Sequence, residues 1–365
     1  MKIAIDISQI VYGTGVSTYT RNLVERLVVL YPKDHFILFG GSLRSQKILH
    51  SFLKGHDNVS HVIMPIPPKI TGLLWNSFHL FSPDKFLANP DIIHTSDWAE
   101  PPSKYPKVTT VHDLIPFIFP QTTTSSIRST HRKRLAWVNK ESDAIISVSD
   151  STKSDLESVL RIKQERITVV PEGVDGFFKP QPPFIIDTIL RKYSITGDYI
   201  FSLSTLEPRK NQVKLIKAFK KLKTKFPQLK LVIAGKTGWG EGIQPTTDVK
   251  LLGFVPDADL PALFSGSLAY VLVSLYEGFS LTHLEAMACG TAVVGSNVSS
   301  MPEVIGRAGV LVDPNSIEDI AQGIEKALES RDEYIEKGLK RASLYSWEEA
   351  AKLTHAVYEK VLKSI

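Results

Sequence analysis

Short runs of Val, Ile and Leu recur along this chain at residues 2–7, 35–39, 59–64, 91–95, 108–112 and 144–148. They return at 199–204, 230–234, 249–254, 268–275, 292–295 and 309–312. In most of them apolar residues stand on consecutive positions, which predicts strands covered on both faces. Between them lie stretches with apolar residues three and four apart, at 16–30, 151–160, 211–226, 281–289 and 317–328. That spacing predicts amphipathic helices. Strands alternating with helices predict an α/β protein with parallel sheets, and two such series predict two doubly wound domains. The join is VPEGVDGFFKPQPP at 170–183, dense in Pro and Gly and without periodicity. The expected division is a first domain over 1–175, a linker over 176–183 and a second domain over 184–345. A final helix over 346–365 is expected to pack back on the first domain. Ser346, Trp347, Glu348 and Glu349 have capping-box spacing at its start.

A length of 365 residues is too great for one ordinary core, in keeping with two domains. Hydrophobic residues make up 43% and charged residues 22%, which excludes a disordered chain. The net charge of +5 suits anionic substrates without requiring nucleic acid. Cys289 is the lone cysteine, so no internal disulfide framework is possible. Its neighbours Ala286, Met287 and Ala288 read as a buried apolar run rather than the setting of a nucleophile. No run of about 18 apolar residues crosses a membrane, and no signal peptide is read at the start. A cytoplasmic protein is expected. The basic stretch from Arg128 to Arg134 leads into Leu135, Ala136 and Trp137, so peripheral contact with an anionic membrane is one reading. A solvated helix face or an acceptor-binding edge is the other.

The richest chemistry lies in SLYEGFSLTHLEAMACG at 274–290, which runs from a strand into a helix. Glu277 and Glu285 stand eight positions apart, a little over two helical turns, so both can face one way. A helix start at Ser280, Leu281 and Thr282 offers unpaired N–H groups to a phosphate. Carboxylates on either side of such a cradle can hold sugar hydroxyls, the outline of a nucleotide-sugar site. An ordinary strand-to-helix turn has the same pattern. A second segment, Glu207-Pro208-Arg209-Lys210-Asn211, follows the strand at 199–204. Arg209 offers a rigid fork and Lys210 a mobile point charge, a pair suited to a diphosphate or equally to a solvated basic turn. Gly13-Thr14-Gly15 after the first strand allows close backbone approach to a ligand. It lacks the third glycine of a dinucleotide fingerprint, so a nicotinamide cofactor is not expected. His112 and Asp113 close another strand, either beside a reacting sugar or as packed and capping residues.

Two motifs are set aside. Gly235-Lys236-Thr237 resembles the end of a P-loop, but Lys230 stands where a glycine is needed. Asp257-Ala258-Asp259 resembles a metal-holding acidic triplet, yet it reads better as a helix N-cap. No metal and no cofactor are expected, and Arg209 and Lys210 then become the charge stabilisers.

LEPRKN at 206–211, YEGFSLTHLEAMACGTAVV at 276–294 and SNVSSMPEVIG at 296–306 together resemble the retaining glycosyltransferases of family 4. GTGVSTYTRNL, VHD and SVSDSTKSDL extend the resemblance over essentially the whole chain. The EPRKN and HDL forms look most like bacterial mannosyltransferases of polysaccharide assembly, including lipopolysaccharide. The resemblance implies the GT-B fold, two Rossmann-like domains facing a central cleft. It implies transfer of a hexose, with mannose from GDP-mannose the first choice, to a glycan or lipid-linked acceptor with retained configuration. UDP-glucose or UDP-N-acetylglucosamine are the alternative donors. An epimerase or hydrolase on the same fold, and a non-catalytic sugar-binding scaffold, are the rival functions. Arg209 and Lys210 would contact the diphosphate, Glu285 the ribose and Glu277 the transferred sugar. Glu207, Gly278, Phe279, Ser280, Leu281 and Thr282 would line the donor, Phe279 to Leu281 through backbone N–H groups. Gly15 would approach the phosphate, His112 the sugar and Asp113 the acceptor. Where the family reads GFGLP, this chain has Ser280 for the second glycine and Thr282 for the proline.

Overall fold

The computed structural model describes residues 1–239 and 242–364. Ile365, the end of the predicted closing helix, lies outside the described residues. The chain forms two compact units, one of Met1–Gly173 with a closing helix and one of Val174–Ser346.

In the first unit β1 (Lys2–Asp6), β2 (His35–Gly41), β3 (Val59–Met64), β4 (Ile92–Ser96), β5 (Lys107–Val111), β6 (Ala144–Ser147) and β7 (Ile167–Val169) form one sheet. The order is β3-β2-β1-β4-β5-β6-β7 and every pair is parallel. Ile3, Ala4 and Ile5 are all buried on successive positions, as a sheet covered on both faces requires. Helix α1 (Gly15–Leu30) buries Tyr19, Leu23, Val24, Leu27 and Val28, one stripe at helical spacing. Helix α2 (Ser125–Glu141) lies towards the end of the unit and buries Arg134, Leu135 and Val138.

The second unit repeats the plan with β8 (Tyr199–Leu203), β9 (Lys230–Ala234), β10 (Val249–Gly253), β11 (Ala269–Leu272), β12 (Val293–Ser296) and β13 (Val310–Val312). Its order is β10-β9-β8-β11-β12-β13, again all parallel. Helix α3 (Gln212–Leu222) packs Leu215, Ala218, Phe219 and Leu222 on Leu231, Ile233 and Val271 of the sheet. Helix α4 (Leu281–Ala288) follows β11.

The closing helix α5 (Trp347–Lys363) belongs to the first unit. Tyr358 donates to or accepts from His94 Nδ1 at 2.6 Å, His355 meets Asp34 at 2.7 Å, and the His355 ring stacks on Tyr31.

Strand order reverses between β1 and β4, and again between β8 and β11. Open sheets of this kind take ligands at the carboxyl ends of the strands beside such a switch point. The segments singled out from the sequence leave β1, β5, β8 and β11 at those ends. Three expectations about elements differ from the structure. The strand expected at 268–275 ends at Leu272, β7 was not expected, and the expected linker stretch runs into a helix at Pro183–Lys192.

Candidate active site

Pairing of Ala269 with Ile200 and Tyr270 with Phe201 sets the exits of β8 and β11 side by side. The Leu275 N–H donates to the Arg209 carbonyl at 2.8 Å, tying the two exit loops together. Asn211 turns the first loop into α3 with a left-handed φ of 60°, a conformation Asn tolerates. Its amide donates to Val273 O at 3.0 Å and Pro314 O at 2.8 Å.

These constraints bring four charges together. Arg209 Nη1 donates to Glu277 Oε2 at 2.8 Å and to the Tyr276 carbonyl at 2.7 Å. Arg209 Nη2 donates to Glu207 Oε1 at 2.5 Å. Lys210 Nζ and Ser274 Oγ both donate to Glu277 Oε1, at 2.7 and 2.5 Å. Ser299 Oγ accepts from the Glu277 N–H, and Ser300 Oγ donates to the Glu277 carbonyl, each at 2.9 Å. Burial opposes ionisation of Glu277, but Arg209 and Lys210 outweigh it and hold the carboxyl at about 2. Burial and the adjacent Arg209 push the Lys210 ammonium down, with Glu277 opposing them. The two directions pull against each other, and that of Glu277 prevails because two cations and three direct hydrogen bonds favour its charged form.

Helix α4 begins at Leu281, so Glu277 precedes it and the two acids do not share a helix face. Glu285 is buried in the middle of α4, and Glu277 lies in the loop before it. Both acids raise the Tyr270 hydroxyl, after burial, so both lie near that ring. Ser280, where the family has glycine, stands at φ 74°. That is the left-handed region glycine enters at no cost. Its hydroxyl is tied to His283 Nδ1 at 2.6 Å, while His283 Nε2 meets Val294 O at 3.1 Å. Thr282 accepts from the Tyr270 hydroxyl at 2.8 Å. The Phe279 ring packs edge-on against Tyr345. The side chains of Phe279, Ser280 and Thr282 therefore serve the framework.

In the first unit, His112 Nε2 meets Ser96 Oγ at 3.0 Å and Nδ1 faces Glu172 Oε1 at 3.5 Å. The Tyr19 ring packs edge-on against the imidazole. Asp113 accepts from the Ile115 N–H at 3.0 Å, the capping arrangement that was one of its two readings. Gly15 opens α1 on an exposed turn, and a Cβ there would meet nothing within 4 Å. Asp97, just after β4, has a left-handed φ of 63°, and burial raises its carboxyl against the pull of His131 and His112.

The basic helix needs correction. Arg134 is buried at 2% exposure, donating to Thr109 Oγ1 at 2.7 Å and lying 3.6 Å from buried Glu100. It is a core ion pair and leaves the surface stretch shorter than the sequence suggests. Arg128 is drawn to the Pro120 and Thr123 carbonyls. The motifs set aside are structural. A Cβ on Gly235 would come within 1.8 Å of Ser204 O. Asp259 stands at the N-cap position, but its carboxylate binds Lys192 and Tyr193 rather than the helix. Cys289 is buried, and burial pushes its thiol up.

Sequence reasoning missed Ser274, Ser299 and Ser300, which hold Glu277, and Ser96 and Glu172, which hold His112. Ser299 and Ser300 lie inside SNVSSMPEVIG and so were visible as a motif without a role. Glu172 sat in a stretch read only as the join.

The family described as "Glycosyltransferase Family 4" matches residues 13–176, and "Glycosyl transferases group 1" matches residues 187–342. The chain is similar to O-antigen chain mannosyltransferase B of Escherichia coli, 30% identical over 98% of this chain and 100% of that one. It is also similar to the serotype-specific mannosyltransferase WbdA of Escherichia coli, 31% identical over 69% of this chain; the match spans only 33% of that longer protein. Among solved structures, a glycosyltransferase from Rickettsia africae superposes with a TM-score of 0.74 at 18% identity, over 100% of this chain and 99% of that one. WaaG, a glycosyltransferase involved in lipopolysaccharide biosynthesis, superposes at 0.72 and 14% identity, over 98% and 99%. Strand order, motif positions and these likenesses agree on the GT-B fold, and the chain belongs to glycosyltransferase family 4 as a hexosyltransferase.

Proposed function

We propose that this hexosyltransferase takes mannose from GDP-mannose and adds it, with retained configuration, to a hydroxyl of a glycan or lipid-linked acceptor. The observation that carries the donor site is the convergence of Arg209 and Lys210 on Glu277 at the β8/β11 switch point. Departure of a nucleoside diphosphate builds negative charge, and two fixed cations with the start of α4 stabilise it without reorganising. Glu285, on α4, binds the ribose. Glu277 has about four acceptor sites, and Lys210, Ser274 and Arg209 take three of them. The remaining one, on Oε2, suits a single hydroxyl of the transferred sugar. A carboxylate clamped by two cations is a poor nucleophile, which favours attack by the acceptor on the face the diphosphate leaves. The departing phosphate oxygen then takes the acceptor proton.

The second unit is read as the donor side and the first as the acceptor side. In it His112, held by Ser96 and Glu172, is assigned to the sugar, Asp113 to the acceptor and the exposed turn at Gly15 to phosphate. With Arg209 and Lys210 supplying the charge, no metal is required. The mannose assignment is supported by relatives named as mannosyltransferases. Among the described residues no helix is long and apolar enough to cross a membrane. A cytoplasmic location, at the inner face of the plasma membrane, goes with this reading.

The test is transfer from GDP-mannose, UDP-glucose and UDP-N-acetylglucosamine, assayed in excess chelator, with Arg209→Ala beside the wild type. The expected result is preference for GDP-mannose, activity undiminished by chelator and a fall of about 10²–10³-fold in the variant. Near-normal turnover by Arg209→Ala would sink the phosphate assignment.

A further inference from the structure

Between Ile70 and Phe86 the first unit exposes six large apolar side chains: Ile70, Leu73, Phe78, Leu80, Phe81 and Phe86. Phe81 is 75% exposed and Phe78 60%, far from the few-percent exposure of the core. Scattered apolar residues on a surface need no explanation, but a concentrated set marks an interaction site.

The turn that carries them is built rather than slack. A π-helical turn at Gly72–Ser77 is closed by Phe78 N–H to Leu73 O at 3.1 Å and Leu80 N–H to Leu74 O at 2.9 Å. Trp75 Nε1 donates to the Phe81 carbonyl at 3.0 Å. His79 and Phe81 both adopt left-handed φ, of 52° and 61°, a conformation that is an outlier for a bulky residue. The backbone is thus strained in the act of turning Phe78, Leu80 and Phe81 into water. His79 anchors the turn to α2, its Nε2 on Glu141 at 2.9 Å and its ring stacked on Trp137 at 3.6 Å. Trp137 Nε1 donates to Asn76 O, and Lys133 Nζ to Ser77 Oγ, each at 3.0 Å.

Arg132, Lys133 and Lys140 of α2 are all exposed; Lys133 reaches the turn at Ser77, Lys140 lies over the Trp137 ring and Arg132 over that of Phe117. The acids within 66–86 and 125–141 are Asp84 and Glu141. Asp84 accepts from Ser103 and Lys104, and Glu141 is shared by His79 and Lys107. The face is therefore apolar at its tip and cationic at its flank.

We infer that this turn and the exposed face of α2 form a membrane-docking surface for an anionic bilayer, with Phe78, Leu80 and Phe81 inserted and Arg132, Lys133 and Lys140 on the headgroups. Apolar burial and attraction to anionic lipid act together in such surfaces. The inference rests on the proposed function only in that a lipid-linked acceptor lies at a bilayer, and docking is measured without it.

The experiment is sedimentation of the full chain with vesicles of phosphatidylcholine containing about one third phosphatidylglycerol, against phosphatidylcholine alone. The wild type partitions to the anionic vesicles and releases as salt rises. Combined Phe78→Ser, Leu80→Ser and Phe81→Ser lowers partitioning by about tenfold or more. Combined Arg132→Ser, Lys133→Ser and Lys140→Ser removes the preference for anionic vesicles. Melting temperature and transfer to a water-soluble acceptor stay as in the wild type for the apolar variant. Absence of wild-type binding, or equal binding by the apolar variant, overturns the inference. So does a wild-type dimer that the apolar variant abolishes without any vesicle binding, since the occupant is then a second copy. Vesicle binding by a protein that transfers no sugar would leave docking standing and refute the proposed function.

Discussion

Ser280 shows how one residue can carry a conformational cost and repay part of it. At φ 74° it costs about 1–2 kcal/mol relative to glycine in the same backbone. Its bond to buried His283 returns about 1 kcal/mol and fixes an imidazole that burial keeps neutral, with its pKa lowered to about 4. Ser280→Ala keeps the strain and strands His283 Nδ1, whereas Ser280→Gly removes the strain. Thermal unfolding should therefore rank Ser280→Ala below Ser280→Gly by about 1 kcal/mol or more, and the reverse order would refute the account. Glu277 offers a pH test. Its carboxyl falls from an ordinary 4.5 to about 2 on folding, so its contribution is complete above 4.5 and lost as pH drops towards 2. The acid alone contributes on the order of 3 kcal/mol, of which the depressed Lys210 offsets a share. Glu277→Gln should unfold at lower urea than the wild type at pH 7, and the gap should narrow between pH 5 and pH 3. A gap that stays constant over that range would show that Glu277 does not titrate as described. The residue identities at this site were legible in the sequence because Glu207, Arg209, Lys210 and Glu277 stand at strand exits. The serines that clamp Glu277 were not, because a serine hydroxyl has no chemical signature until a fold aims it.

At the scale of elements, hydrophobic patterning located the core strands well, since runs such as Ile3-Ala4-Ile5 have no other stable placement. It was weakest where packing rather than pattern decides. β7 is three residues long, too short to carry a periodicity, and Pro183–Lys192 is amphipathic within a stretch dominated by prolines. The helix-face argument for Glu277 and Glu285 failed because Glu277 lies in the loop before α4, which starts at Leu281 where the patterning put it. Arg134 was misread because charge on a helix predicts solvent, but buried Glu100 lies 3.6 Å away to pair with it. Helix α5 is held to β4 by one buried bond, Tyr358 to His94, and His94 also meets Thr110 Oγ1 at 2.8 Å. Burial depresses the His94 imidazole to about 3, so it is neutral and needs both partners. Tyr358→Phe should lower stability by about 1–3 kcal/mol in chemical denaturation. An unchanged midpoint would mean that the bond adds nothing beyond what water supplies.

For the whole molecule, two sheets of matching strand order come from two sequence series of matching rhythm. The fold was legible to that extent because each strand–helix repeat specifies a parallel neighbour. The first unit depends on residues at the far end of the chain. Helix α5 supplies Trp347, Tyr358 and Val361 to that unit's buried interior. Domains generally fold as they emerge from the ribosome, the first-made first. Here that order is inverted. The 173 residues made first must wait, with a helix-shaped face uncovered, while the 173 residues from Val174 to Ser346 are synthesised and close around their own sheet. At about 5–20 residues per second the wait lasts on the order of ten seconds or more. A nascent chain halted before Trp347 would present a finished second unit and an unfinished first one.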